Sequence, residues 1–134
     1  MNIEKIEQQT EQKITYYKEI NSTHIHAKEI ENQGDQILIA EIQTAGIGTK
    51  GRIWHTGESK NIAMTIIKHP DCSIKQLEGL TIQIAQVIQK VIKDLYGYKL
   101  QIKEPNDLIL NGKKISGILT EIHTRGEKIE YLLI

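Results

Sequence analysis

Two segments hold the side chains best suited to chemistry. The first is Gly46-Ile47-Gly48-Thr49-Lys50-Gly51, followed by Arg52 and Trp54. Glycines let a backbone approach a phosphate closely. The spacing formally matches the glycine pattern of dinucleotide-binding folds, but that use requires a helix to open at the loop, so that its amides meet the pyrophosphate. Arg52-Ile53-Trp54-His55-Thr56-Gly57 carries no helical apolar period, so a glycine loop that wraps its ligand is expected instead. The second segment is Lys103-Glu104-Pro105-Asn106-Asp107, followed by Lys113-Lys114-Ile115-Ser116-Gly117-Ile118-Leu119. A Pro-Asn-Asp turn leading into a hairpin sets an amide, a carboxylate and a lysine side by side. Asn106 could read a purine edge, and Lys114 could neutralise a carboxylate and a phosphate brought together. Spacing alone favours a polar turn with solvated lysines.

The elements that would position these groups read as follows. Lys13 to Ile20 is a predicted strand. Asn21-Ser22-Thr23 signals a helix start, with the helix running to about Gln33 and stopping at Gly34. Gln36 to Ile42 is a second strand, its apolar run implying burial on both faces. Gln43 to Ser59 reads as irregular. Asn61 to Lys68 is a strand with Ile62, Met64 and Ile66 on one face, ended by His69-Pro70. From Ile74 to Tyr96, apolar residues recur at helical spacing, with Gly97 as the stop. Lys99 to Ile102 and Asp107 to Leu110 are short strands, and Asn111-Gly112 is a strong hairpin signal. Lys114 to His123 should run back, Thr124 to Glu127 turn, and Lys128 to Ile134 form a last strand. Helices on a mixed, largely antiparallel sheet make this an α+β fold.

Taken together and in order, several of these residues carry a resemblance. Ser22-Thr23, Gln43-Thr44-Ala45-Gly46, Gly51-Arg52-x-Trp54, Asn61, Pro105-Asn106-Asp107 and Gly112 to Leu119 resemble the biotin–protein ligase family. That family's loop reads G-R-G-R-x-G-R-x-W, its next signature K-W-P-N-D, and its lysine strand K-[IL]-[AS]-G-I-L. The resemblance implies a class II aminoacyl-tRNA synthetase/biotin ligase-like fold. It also implies activation of biotin with ATP and Mg²⁺ to biotinyl-5′-AMP, and transfer to a lysine of a biotin carboxyl carrier domain. Position by position, Ser22, Thr23 and Gln43 would bond the ureido ring. Gly46, Gly48 and Gly51 would close over biotin, and Gly117 would leave it room. Arg52 would contact phosphate or the biotin carboxylate, and Trp54 would pack beside the adenylate. Asn106 would read adenine, Lys114 would bridge carboxylate and α-phosphate, and Asp107 would support the loop arginine or the magnesium shell. By type alone, Trp54 is equally a core residue and Ser22 equally a helix cap.

The chain departs from the family pattern at Ile47 and Thr49, where arginines stand, at Glu104 in place of tryptophan, and at His24. Arginine's rigid fork has no substitute in Ile or Thr, so slow adenylation and poor retention of the adenylate are expected. The rival readings are a lipoate-type ligase, against which the polar Ser22, Thr23 and Gln43 argue, and a non-catalytic biotin-binding module. The family's G-I-G-x-N strand is not present. Tyr131 to Ile134 is apolar to the final residue, which suggests an edge strand awaiting a partner, whether the rest of the domain or a second copy in a homodimer.

The 134 residues suit one compact domain over 1–134, apparently incomplete at its C-terminus. Lys plus Arg equals Asp plus Glu at 17 each, so there is no electrostatic footprint for DNA or anionic membrane. No helix-turn-helix precedes the core, no apolar run reaches the ~20 residues of a membrane span, and the polar first dozen residues are not a signal peptide. Cys72 alone rules out an internal disulfide and fits the cytoplasm. No residue cluster suggests a protein-held metal.

Overall fold

The computed structural model describes residues 2–57 and 61–134. Ser59, the predicted end of the irregular stretch, lies outside the described residues. The elements are α1 (Ile3–Thr10), β1 (Ile14–Ile20), α2 (Thr23–Glu29), β2 (Gln36–Gln43), β3 (Ala63–Lys68), α3 (Leu80–Tyr96), β4 (Gln101–Lys103), β5 (Asp107–Leu110), β6 (Lys113–Gly117), β7 (Glu121–Arg125) and β8 (Lys128–Leu133). The chain forms two compact units: residues 1–72 with 121–134, and residues 73–120.

The first unit is built on a five-stranded sheet of order β1-β2-β3-β8-β7. Strands β1 and β2 run parallel and the other pairs antiparallel. A parallel pair needs a crossover, and α2 supplies it. Ala27 of α2 packs with Leu38, Ile67, Tyr131 and Leu133, and Tyr17 and Ile30 flank this core. Each large aliphatic side chain so buried contributes roughly 1.5–3 kcal/mol. α1 was not foreseen: Asn2 caps it through Lys5 N, and Glu7 Oε1 accepts from Ile14 N at 2.8 Å.

Strand β3 buries Ala63, Thr65 and Ile67, whereas Ile62 and Met64 are exposed. The apolar alternation therefore marks the outer face. The last strand is not an edge. β8 lies between β3 and β7, with Leu132 and Leu133 buried and Ile134 exchanging hydrogen bonds with Ile66 at 2.9 and 3.1 Å. The edges are β1 and β7, so the basis for edge pairing through the final strand is removed.

The second unit is an antiparallel meander, β4-β5-β6, under α3. Ala85 packs with Leu100, Leu108 and Ile118, and Ile84, Ile88 and Ile92 line the same stripe. Val87, Val91 and Leu95, also at helical spacing, are exposed. The helix begins later than predicted. Ile74–Leu77 is a 3-10 turn, and Gly79 then takes φ 74°, which breaks the run before Leu80. The β5–β6 turn is Asn111-Gly112, with φ 50° and 74°, as the hairpin signal requires.

The predicted single strand Lys114 to His123 is two strands in two different sheets. Between them, Ile118 turns off the ladder: its N–H donates to Asn106 O at 2.9 Å and its carbonyl accepts from Asn106 Nδ2 at 2.9 Å. Its side chain is buried in the second unit's core. No helix among the described residues is long and apolar enough to cross a membrane.

Candidate functional site

The first unit gathers Ser22, Thr23 and Gln43. The parallel register pairs Ile20 with Gln43, so the residues just past β1 arrive beside the end of β2. Thr44 N donates to Ile20 O at 2.9 Å and Ala45 N to Asn21 O at 2.8 Å, extending that pairing. Ser22 caps α2, its Oγ accepting from Ile25 N, a role worth about 1 kcal/mol. Gln43 Oε1 accepts from Thr23 N at 2.8 Å and from Thr23 Oγ1 at 3.0 Å. Thr65 Oγ1, on β3, donates to Thr23 Oγ1 at 2.9 Å. The Gln43 backbone is held by Thr56, which accepts from its N–H at 2.7 Å and donates to its carbonyl at 3.1 Å.

The glycine segment that follows is not open coil. Trp54 N donates to Gly46 O at 2.8 Å, Gly48 N donates to Arg52 O at 2.7 Å, and Ile47 bridges Ile53. A tight turn over Thr49–Gly51 closes this small hairpin, with Lys50 at φ 59° and Gly51 at φ 71°. Lys50 in the left-handed region costs about 1–2 kcal/mol; Gly51 bears its angle freely. Gly46 is required by close approach, since a β-carbon there would lie 2.4 Å from Trp54 O. Arg52 folds back: Nε donates to Thr49 O and Nη2 to Thr49 Oγ1, both at 3.2 Å. Thr49, one of the departures from the arginine-rich pattern, thus holds the arginine that is left. Trp54 is half-buried, neither full core nor free surface.

The second unit gathers Asn106, Asp107, Lys114 and Gly117. Asp107 pairs with Gly117 across β5 and β6, and a register shift after Leu108 sets Ile109 opposite Lys114. Lys114 Nζ lies 2.7 Å from Asp107 Oδ1, an oxygen shut off from solvent. Asn106 donates one amide hydrogen to Ile118 O at 2.9 Å. Among the described residues, no group of three or more His, Cys, Asp or Glu could hold a metal ion.

Beside the Thr23 cluster lies a group that composition did not reveal. Glu121 Oε2 accepts from His24 Nε2 at 2.8 Å, and Oε1 meets Lys28 Nζ at 2.7 Å and His123 Nε2 at 2.9 Å. Burial alone would raise the Glu121 pKa, but hydrogen bonds from Lys28, His24 and His123 and the Lys28 charge outweigh it and bring it down to about 2. Burial lowers the pKa of His24, against the pull of Glu121. A neutral imidazole donating from Nε2 satisfies both partners. These shifts fix the acid response. Below the ordinary histidine value of 6.5 the unfolded chain protonates His24 first, so stability falls as pH drops through it. The Glu121 contribution is complete above 4.5 and is lost towards 2. Urea midpoints measured from pH 8 downward should fall in two steps, and Glu121→Gln should flatten the lower one. A midpoint insensitive to pH between about 7 and about 5, the range in which an ordinary imidazole titrates, would contradict the His24 assignment.

Thr65 and Glu121 were missed by the sequence reading. The available signal for Thr65 was faint: a threonine on the smaller-residue face of β3, between Ala63 and Ile67. For Glu121 there was little, because two of its three partners, Lys28 and His24, lie 93 and 97 residues away.

A five-stranded mixed sheet crossed by α2, with the Ser22–Thr23–Gln43 cluster beside a glycine hairpin, defines an α+β architecture. Solved structures share it. The biotin protein ligase of Leishmania major in complex with biotinyl-5-AMP matches with a TM-score of 0.74 and 26% identity, over 90% of this chain and 54% of that one. The biotin protein ligase of Aquifex aeolicus in complex with biotin and ATP matches with a TM-score of 0.74 and 25% identity, over 90% and 49%. In sequence, the bifunctional ligase/repressor BirA of Bacillus subtilis is 32% identical over 126 residues, 92% of this chain and 39% of the relative. The Biotin/lipoate A/B protein ligase family matches residues 6–134, and the chain belongs to that family. It spans about two-fifths of the length of the curated relatives first matched.

Proposed function

We propose that this chain carries the biotin-activating part of a biotin–protein ligase, forming biotinyl-5′-AMP from biotin and magnesium ATP for transfer to a lysine of a biotin carrier domain. The observation that carries the reading is the Ser22–Thr23–Gln43 cluster at the mouth of the Gly46–Trp54 hairpin. A ureido ring offers donors and an acceptor, and this cluster offers hydroxyls and an amide. A lipoyl ring offers no such groups.

Adenylation needs no protein nucleophile. The biotin carboxylate attacks the α-phosphorus, and pyrophosphate leaves. The protein must hold two anions together and screen their repulsion. Lys114 takes that task, with Asp107 holding its ammonium in place. Arg52 contacts the phosphate or carboxylate once released from Thr49. Asn106 presents its remaining amide hydrogen and Oδ1 to adenine, and Trp54 packs beside the adenylate. Gly48, Gly51 and Gly117 leave backbone space around the ligand. The magnesium arrives on the nucleotide phosphates, as is usual for an ion that keeps much of its water.

Pyrophosphate exchange tests the activity. Labelled pyrophosphate should enter ATP only when biotin is present, and slowly, because Arg52 is the single arginine of the hairpin and is engaged by Thr49. Biotin binding with no exchange would convert the reading to a biotin-binding module, and failure to bind biotin would reject it.

A further inference from the structure

We propose that Thr65 is a positioning residue that locks the Thr23 hydroxyl onto Gln43 Oε1, and so helps the Thr23 backbone amide hold the Gln43 amide with its hydrogens free to meet a ring carbonyl. The inference rests on the biotin reading above and extends it to a residue outside the family motifs quoted for this chain. Thr23 N–H is a backbone amide and can only donate, so the Gln43 atom 2.8 Å from it is the carbonyl oxygen Oε1. That oxygen can only accept. Thr23 Oγ1, 3.0 Å from it, must therefore spend its one hydrogen there. A hydroxyl that has donated can only accept further, so Thr65 Oγ1, 2.9 Å away, must be the donor. The direction of every hydrogen bond from Thr65 to Gln43 is thus fixed, although hydroxyl hydrogens rotate freely in isolation.

The consequence lies at the other end of the amide. With Oε1 taken twice, Gln43 offers the outside only its Nε2 hydrogens. Nε2 lies against the start of the glycine hairpin, 2.9 Å from where a Gly46 β-carbon would stand. What Gln43 presents there is a donor, complementary to a carbonyl oxygen such as that of a cyclic urea. Thr65 and Thr23 are 2% and 3% exposed, so water cannot easily replace a missing partner and let the relay reverse. Without the Thr65 hydroxyl, Thr23 Oγ1 loses its buried donor and its lone pair is orphaned, which favours rotation of the hydroxyl and slackens the amide.

The test reads binding alone, so a slow enzyme does not hide the result. Calorimetry with biotin is run on the wild-type chain, Thr65→Val, Thr65→Ser and Gln43→Glu. Thr65→Val keeps the shape and removes the hydroxyl; it should weaken biotin about tenfold, the order of one buried hydrogen bond. Thr65→Ser keeps the hydroxyl and should restore wild-type affinity, even where loss of the methyl lowers its thermal midpoint. Gln43→Glu keeps the inner oxygen on Thr23 and turns the outer atom into an acceptor, and should weaken biotin about a hundredfold or more, since an acceptor would then face an acceptor. Should Thr65→Val fail to fold, Thr65→Cys, which keeps the size but donates only weakly, takes its place and should weaken biotin in the same way, and wild-type binding by it would overturn the proposal. Thr65→Ser binding as weakly as a hydroxyl-free site, or Thr65→Val or Gln43→Glu binding like wild type, would overturn the relay while leaving the ligase reading intact. A wild-type chain that takes up no biotin would overturn the ligase reading itself.

Discussion

Replacing Lys114 with alanine should lower the rate of biotinyl-adenylate formation by about 10²–10³, the usual loss when one fixed charge on a developing anion is removed. Some stability should be lost as well: the Lys114 side chain is 37% exposed, but Asp107 Oδ1 is shut off from solvent and is left without its cation, a cost of about 1–3 kcal/mol. Rate and stability still separate. A purely structural lysine would lower the thermal midpoint and spare the exchange rate of the folded protein; an electrostatic one loses rate in the folded protein. Asp107→Asn gives the complementary result. It removes the carboxylate that holds the ammonium 2.7 Å away, and it should cost less rate than Lys114→Ala, because the cation remains but is less well placed. Pyrophosphate exchange at saturating biotin and ATP checks both variants. An unchanged rate in Lys114→Ala would refute the role given to it.

Much of this arrangement was legible in the residue order, for reasons that can be traced. Local rules governed β1, β2, β5, the Ser22 cap and the Asn111-Gly112 turn, and each formed where its own residues required. Errors arose where distant parts decided. Ile118 leaves the ladder because Asn106, twelve residues earlier, takes both its backbone groups. β8 is interior because β7 forms beyond the break at Ile118, and no terminal pattern announces that. On β3 the larger side chains face out, so size misled about burial. Among the candidate residues, Ser22, Thr23 and Gln43 were found as separate motif positions, and only the parallel register explains why they touch. The hairpin was read as loose because its glycines masked the cross-bridges, which are backbone bonds and leave no trace in side-chain pattern.

Those same cross-bridges make Gly46 the most tightly confined glycine of the hairpin. A β-carbon at Gly46 would sit 2.4 Å from Trp54 O and 2.9 Å from Gln43 Nε2. The first is backbone and cannot swing aside, so Gly46→Ala must open the hairpin, stretch the 2.8 Å bond from Trp54 N to Gly46 O, and shift the amide that faces the ligand. A displacement near 1 Å of positioning groups costs about 10² in rate, and biotin affinity should fall with it because Gln43 moves too. Gly48→Ala is the control. Its β-carbon would meet Arg52 O at 3.4 Å, ordinary contact, so it should cost well under tenfold. Gly51 has open space but φ 71°, so Gly51→Ala should cost about 1–2 kcal/mol of backbone strain without disturbing Gln43. Biotin affinity and exchange rate across the three alanine variants thus rank the causes: close approach at Gly46, strain at Gly51, neither at Gly48. Equal losses at all three would mean that glycine mobility, and not the packed hairpin, is what the ligand needs.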